Sequence, residues 1–330
     1  MLSFIVRRVG SLVAVLLALS VLVFVLQRVG DADPVRAYLG ANASRAAVDQ
    51  ARTDLGLDRP LVSQYVTYLG GLLHGDFGMS YTSRRAVSVD LAEKVPATLE
   101  LALWVMVLSV LLAVVLASVY SLKGPVSGVI RLVFFSAASA PSFLLGTLGV
   151  LLFFGQLGWL PATGRGSYGP LGPTGFYVLD GILTGDLPYA LDAAEHLLLP
   201  ALAASLGPAV ALARILGDRL SAGMGSAYAR TARSLGESER GVLLRHSLRN
   251  ASSPALSMLG VQAGTMLTSL VVVEQIFSWN GLGQYLSSAI ASSDFPAVAA
   301  VSLVLGAVYV VLTAVVDVLQ IAVDPRLKLS

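Results

Sequence analysis

The chain has 330 residues, 55% of them hydrophobic and only 13% charged, with a formal net charge of +2. Soluble domains carry about 25% charged residues, so too little polar surface exists to coat a water-soluble fold, and the chain reads as an all-α polytopic membrane protein. It has no cysteine, which excludes disulfides, thiol catalysis and cysteine metal sites, and its near-balanced charge points to no particular soluble partner.

A bilayer core of ~30 Å needs about 20 helical residues. Six stretches qualify by length and hydropathy: 9–27, 98–122, 130–156, 196–217, 254–276 and 297–321. Arg7 and Arg8 precede the first as in a signal peptide, but the apolar run is long and no small-x-small site follows, so it reads as a retained anchor. Residues 28–97 are too polar to span. Arg45–Leu57 and Pro60–Leu73 have helical, amphipathic spacing, and His74–Gly78 reads as a turn. This segment is expected to be a small extracytoplasmic α domain. Residues 157–190 are rich in Gly and Pro and read as an irregular outer loop, followed by a short amphipathic piece from Leu187 to His196. Pro200 then falls near the start of the fourth span, where a missing N–H costs little. Gly260 and Gly264 stand four apart in the fifth span, which suits close helix packing. The expected division is 1–27 (cytoplasmic end and first span), 28–97 (outer domain), 98–321 (transmembrane domain) and 322–330 (cytoplasmic C-terminus).

Charge sets the orientation. With the N-terminus inside, cytoplasmic segments hold Arg7, Arg8, Lys123, Arg131, seven arginines from Arg214 to Arg249, Arg326 and Lys328. Residues 28–97 carry basic and acidic groups in balance, and a long neutral segment translocates largely regardless of charge. Both termini are therefore expected inside.

Several chemistries are missing. No Gly-Lys dipeptide occurs, so the chain has no phosphate-binding P-loop. His74, His196 and His246 are far apart, and neither HExxH nor GxSxG is present. Ionisable residues in spans are expensive and often functional, and the carboxylate candidates here are Glu100, Glu274 and Asp317. Glu100 and Asp317 lie near helix ends, which favours a solvated or hydrogen-bonded carboxylate over a proton relay. For Glu274 both readings stay open.

The densest signal is a polar island at about 218–252. Tyr228 to Pro254 holds five arginines, two glutamates and one histidine between two apolar spans. Tyr228–Leu235 gives two helical turns, and Gly236 stops them. Ser238 caps a second helix to about Asn250, with Leu244 and Leu248 on one face and Arg245 and Arg249 on another. A lipid-facing basic anchor explains the arginines. It does not explain the Gly break, the interspersed acids or the apolar face, which a docking surface for a cytoplasmic partner does.

The stretches Y228ARTARSLG236, S238ER, L243LRHSLRN250 and Pro254 resemble the cytoplasmic loop of permease subunits in ABC importers, in the form found in oligopeptide and dipeptide permeases with a large first outer domain. The generic loop has Glu-Ala-Ala where Thr231, Ala232 and Arg233 stand. Further blocks are similar to the same family in order along the chain: 55–81, VPATLELAL (95–103), GWLPATGR (158–165), HLLLPAL (196–202), VVVEQIFSWNGLGQ (271–284, Asn280 replacing the more usual Pro) and DPRLK (324–328). The least typical stretch is 166–190.

This resemblance implies a six-helix type I importer permease of the bacterial inner membrane, paired with a second homologous permease subunit. It also implies two ABC ATPase subunits that bind ATP and Mg, none being bound here, an extracytoplasmic solute-binding protein, membrane lipid and a di- or oligopeptide substrate, with no nucleic acid. The chain is then a transport subunit and not itself an ATPase. The implied coupling residues are Tyr228, Arg230, Thr231, Ala232, Arg233, Leu235, Gly236, Glu237, Arg240, Arg245 and Arg249. Ala232 lets the first helix lie in an ATPase cleft, and Arg230 and Arg233 meet acids there. Glu274 and Asn280 are candidate pathway or gate residues. Rivals are an ion- or proton-coupled secondary transporter, a channel or scaffold, and a permease for nickel, glutathione or sugar.

Overall fold

The computed structural model describes residues 2–29, 44–54, 58–121, 128–129, 132–134, 136 and 139–323. Lys123, Arg131, the DPRLK ending and the end of the helix expected at Arg45–Leu57 lie outside them. The described residues are helical and contain no strand, only an isolated antiparallel bridge between Met79 and Ala86. In order they form α1 (Leu2–Val29), α2 (Arg45–Asp54), α3 (Leu61–Leu73), α4 (Val87–Ser121) and α5 (Ser142–Gly149, continued by a π-helical turn over Val150–Gln156). After these come α6 (Tyr177–Thr184), α7 (Leu187–Met224), α8 (Ala227–Ser234), α9 (Leu248–Ile276), α10 (Leu282–Ala291) and α11 (Phe295–Val323).

Among the described residues, five helical stretches are long and apolar enough to cross a membrane, and Ser142–Gln156 is a shorter apolar helix in the place of the expected third span, whose residues 130, 131, 135, 137 and 138 lie outside those described. Several elements differ from the sequence reading. The second span was expected from 98, but α4 begins at Val87 and carries Pro96 inside it. The fourth was expected over 196–217, but α7 runs from Leu187 to Met224 with Pro200 and Pro208 both interior. Its start is fixed further out, where the Asp186 side chain accepts the Tyr189 N–H at 3.1 Å and a proline occupies the first turn. The outer loop is not wholly irregular, since it contains α6. Helix α10 follows the WNG turn and was not expected at all.

The chain divides into two compact units, Leu2–Ala97 with Asn280–Val310, and Thr98–Trp279 with Val311–Ser330. In the first, α1 packs on α3 through Phe24 against Tyr65 (5.2 Å between ring centres) and a Ser20–Tyr65 hydroxyl contact of 2.9 Å. Burial, then the neighbouring Tyr65, pushes the Tyr68 hydroxyl up to about 12. A second core joins Val87 and Leu91 to Leu282, Ala300 and Val301. Two buried aspartates pin the turn that precedes α4. Asp294 accepts from Ser80 Oγ at 2.5 Å and Thr82 N at 3.1 Å. Asp90 accepts from Ser83 Oγ at 2.7 Å and Tyr285 at 2.9 Å, and Arg85 pairs with it at 2.5 Å. Burial first, then the bond to Asp90, raises the Tyr285 pKa, so its hydroxyl remains a donor.

In the second unit α7 is the axis. Val210, Leu212 and Ala213 pack with Ala113, Leu116, Leu259 and Val316, while Leu216 packs with Ala117, Ala251 and Ala255. Gly181 lets α6 lie directly on α7, because a Cβ there would stand 2.7 Å from the Ala190 nitrogen. The Gly/Pro-rich loop is held by carboxylates. Asp180 accepts from Thr174 Oγ1 at 2.6 Å and Gly175 N at 2.9 Å, and Asp192 from Ser167 N and Oγ, both at 2.7 Å. Glu100, only 2% exposed, pairs with Arg165 at 2.6 Å and accepts the Val178 N–H at 2.9 Å. It is hydrogen-bonded, as one of the two sequence readings had it, and not solvated.

Candidate functional site

The island begins with α8. Ser226 caps it, accepting the Ala229 N–H at 3.3 Å. It ends where Gly236 takes φ +85°, with Gly236 N donating to Arg233 O at 2.9 Å and Glu237 N to Ala232 O at 3.1 Å. This closed turn satisfies the terminal carbonyls and needs a residue without a Cβ penalty. Ser238 then accepts the Gly241 N–H at 3.2 Å and starts the next helix. That helix is not a separate surface element ending near Asn250, as expected. It passes through a short helical turn (Glu239–Gly241) and a π-helical turn (Val242–Ser247) into α9, unbroken to Ile276. The island therefore joins the fifth span directly.

The π turn also changes which side chains share a face. Leu244 and Leu248 were expected together, but Leu244 is 62% exposed while Leu248 packs against the Leu216–Ala255 cluster. A π turn holds more residues than an α turn, so the side chains beyond it rotate out of the i, i+4 register.

The faces of α8 are reversed for two residues. Ala229 and Ala232 are buried against Val242 and Met224, inside the island. Arg233 turns back as well. Its Nε and Nη2 donate to the Glu239 carboxylate at 2.6 and 3.0 Å, and Nη1 donates to the Met224 carbonyl at 3.0 Å. The bond to Glu239 raises the pKa of the already permanent Arg233 cation. Ala232 and Arg233 thus hold the segment together. The outward face comprises Tyr228, Arg230, Thr231 and Leu235, with Leu235 82% exposed, and Gly236 beside it. Glu237 lies 2.9 Å from His246 Nε2 and 3.6 Å from Arg245, whose side chain is largely exposed. Arg240 and Arg249 are exposed. A hydrogen bond with Asn250, foremost, lowers the Tyr228 hydroxyl pKa.

Glu274 is fully buried, and Thr98 Oγ1 donates to its Oε1 at 2.6 Å. In the other unit, Asn280 takes φ +59°, accepts from Lys94 Nζ at its Oδ1 and donates its N–H to Gln284 Oε1 at 2.7 Å. Proline is confined to φ near −65°, whereas Asn tolerates the left-handed region.

A cavity of 360 Å³ opens between α5, α7 and α9, lined by Ser142, Pro208, Gln262, Thr265 and Ser269 among others, and no charged side chain among the described residues lines it. The sequence reading missed Gln262 because it weighed only ionisable groups in spans. The signal available was an amide midway along a 29-residue apolar helix.

Residues 106–329 match the family described as binding-protein-dependent transport system inner membrane component, and residues 1–102 match that family's N-terminal membrane-component domain. The chain belongs to this family. It is a multi-pass inner-membrane permease. It is 36% identical over 334 residues to a di/tripeptide transport system permease protein of Pseudomonas aeruginosa, covering 99% of both chains. A probable D,D-dipeptide transport system permease protein of Escherichia coli K12 is 34% identical over 327 residues, covering 97% of this chain and 96% of the relative. A glutathione transport system permease protein of the same strain is 32% identical over 331 residues, covering 99% of both.

Proposed function

We propose that this permease imports di- or oligopeptides as half of the translocation pathway of an ABC importer. Full-length similarity to peptide permeases carries this reading. A second permease subunit completes the pathway, two ATPase subunits bind ATP and Mg, and a solute-binding protein delivers substrate from outside. The complex acts as a translocase to which this chain contributes no nucleotide site. Both termini are cytoplasmic, so α8 lies on the ATPase side, and its face of Leu235, Thr231, Arg230 and Tyr228 is the docking surface. Because α8 is locked to the extension of α9, force on that face reaches a membrane span through continuous helix, as a packed rigid-body transmission requires.

The test is uptake. The permease, co-expressed with its partners, should import labelled di- and tripeptides only when ATP and the binding protein are present. Uptake driven by a proton or sodium gradient without ATP would support a secondary transporter instead. Glutathione belongs in the same panel, since it is itself a peptide and a glutathione permease is among the relatives.

A further inference from the structure

Building on the import reading, we infer that Gln262 is a substrate-contacting residue that hydrogen-bonds peptide amides in the membrane cavity. Gln262 stands midway along α9 (Leu248–Ile276). Its side chain is half-buried, lines the 360 Å³ cavity, and makes no hydrogen bond among the described residues. Exposing a primary amide to lipid, or burying it unpaired, is costly. Every hydroxyl on its face has already been turned inward: Thr265 donates to the Gln262 carbonyl at 3.0 Å and Ser269 to the Met266 carbonyl at 2.8 Å. Across the cavity, Pro208 sits inside α7 and has no N–H to donate to the Ala204 carbonyl. Ala204 and Pro208 both line the same space.

The cavity thus presents a donor–acceptor amide on one wall, facing a stretch of α7 in which Pro208 supplies no N–H. A primary amide, with N–H donors and a C=O acceptor, is complementary to a peptide group, which carries one N–H and one C=O. Among the described residues no charged side chain lines the cavity, so none of them favours one peptide side-chain charge over another. Its volume lies in the range of small-ligand sites, about 300–1,000 Å³. Amide recognition with neutral walls gives selectivity for the peptide backbone and indifference to sequence.

Three variants in the intact complex test this. Gln262→Leu keeps the bulk and removes the amide. It should lower peptide uptake about tenfold, the effect of one lost hydrogen bond to a desolvated group. Co-purification of the partner subunits and ATP hydrolysis stimulated by loaded binding protein should persist. Gln262→Glu should slow acidic peptides more than basic ones, a bias that a merely structural residue would not produce. The chain has no cysteine, so Gln262→Cys reports directly. A small water-soluble thiosulfonate should label it, and peptide-loaded binding protein with ATP should slow the labelling. Unchanged uptake in Gln262→Leu, or an unreactive Gln262→Cys, overturns the inference. Loss of subunit co-purification in Gln262→Leu overturns it in favour of an interhelical contact. A wild-type complex that imports no peptide at all would sink the functional reading itself, a result distinct from a normal wild type with a normal variant.

Discussion

The buried pair Arg165–Glu100 should hold the outer loop in place, and its removal is measurable. The carboxylate is 2% and the guanidinium 10% exposed. The pair is 2.6 Å apart, Arg165 also donates to the Gly175 carbonyl at 2.7 Å, and its guanidinium sits 4.0 Å from the centre of the Tyr177 ring. Arg165→Ala leaves Glu100 buried with Val178 N–H as its remaining donor in this network. Stranding one partner of a buried pair costs roughly 3–5 kcal/mol. At the usual entropy of unfolding per residue, a cooperative unit of this length would lose about 4–7 °C in its thermal midpoint. The assay is thermal unfolding of the purified complex in detergent, with proteolysis of the loop as a second readout. The pair's net worth is a separate quantity, because apolar replacement of both partners is often neutral. Arg165→Met with Glu100→Leu should therefore recover most of the loss. A midpoint within about 1 °C of wild type for Arg165→Ala, or a double variant as low as the two single losses added together, would refute the argument.

Two further expectations follow from the island and the charge pattern. Leu235→Asp should leave the permease folded and inserted but reduce ATPase co-purification and uptake about tenfold or more, because exposed apolar anchors carry interface energy. Ala232→Asp should instead lower the thermal midpoint by burying a carboxylate against Val242; equal behaviour of the two would contradict the face assignment. In the cysteine-free chain, Ser238→Cys should react with impermeant reagents only from the inside and Ser63→Cys only from the outside; labelling from one common side would overturn the topology.

Hydropathy located five of the six expected spans, because bilayer thickness sets a length that any apolar helix must reach. It did not locate helix ends, because it reports where water is excluded and not where backbone hydrogen bonding stops. Val87–Ala97 carries Asp90, Glu93 and Lys94, so it reads as non-spanning, yet the helix runs through it. Pro200 and Pro208 are conventional stop signals, but both sit inside α7. Short helices were harder still. Helix α10 follows directly on Gly281 and is only ten residues long, too short for a search by span length to find. Helix α6 lies in a stretch whose Gly and Pro content suggested loop, and there Gly181 serves the packing of a helix.

Around the candidate site, position along the chain was legible and direction was not. Gly236 and Ser238 announce their roles through chemistry local to each residue, and both behave accordingly; the Ser226 cap was not read from the sequence. Which way Ala232 faces depends on Val242, placed by the extension of a span that sequence reading had begun at 254. Two small residues three apart mark a helix face that something approaches closely. The pattern is the same whether that something is another chain or the same chain returning. Here the return is intramolecular, so the alanines and Arg233 hold the segment together, and Leu235 is left exposed. The same argument applies inside the membrane. A charge in a span attracts notice, but Glu100 is buried and paired and Glu274 is buried and bonded to Thr98. The uncharged Gln262 looks unremarkable in sequence and becomes informative only once the cavity beside it is known.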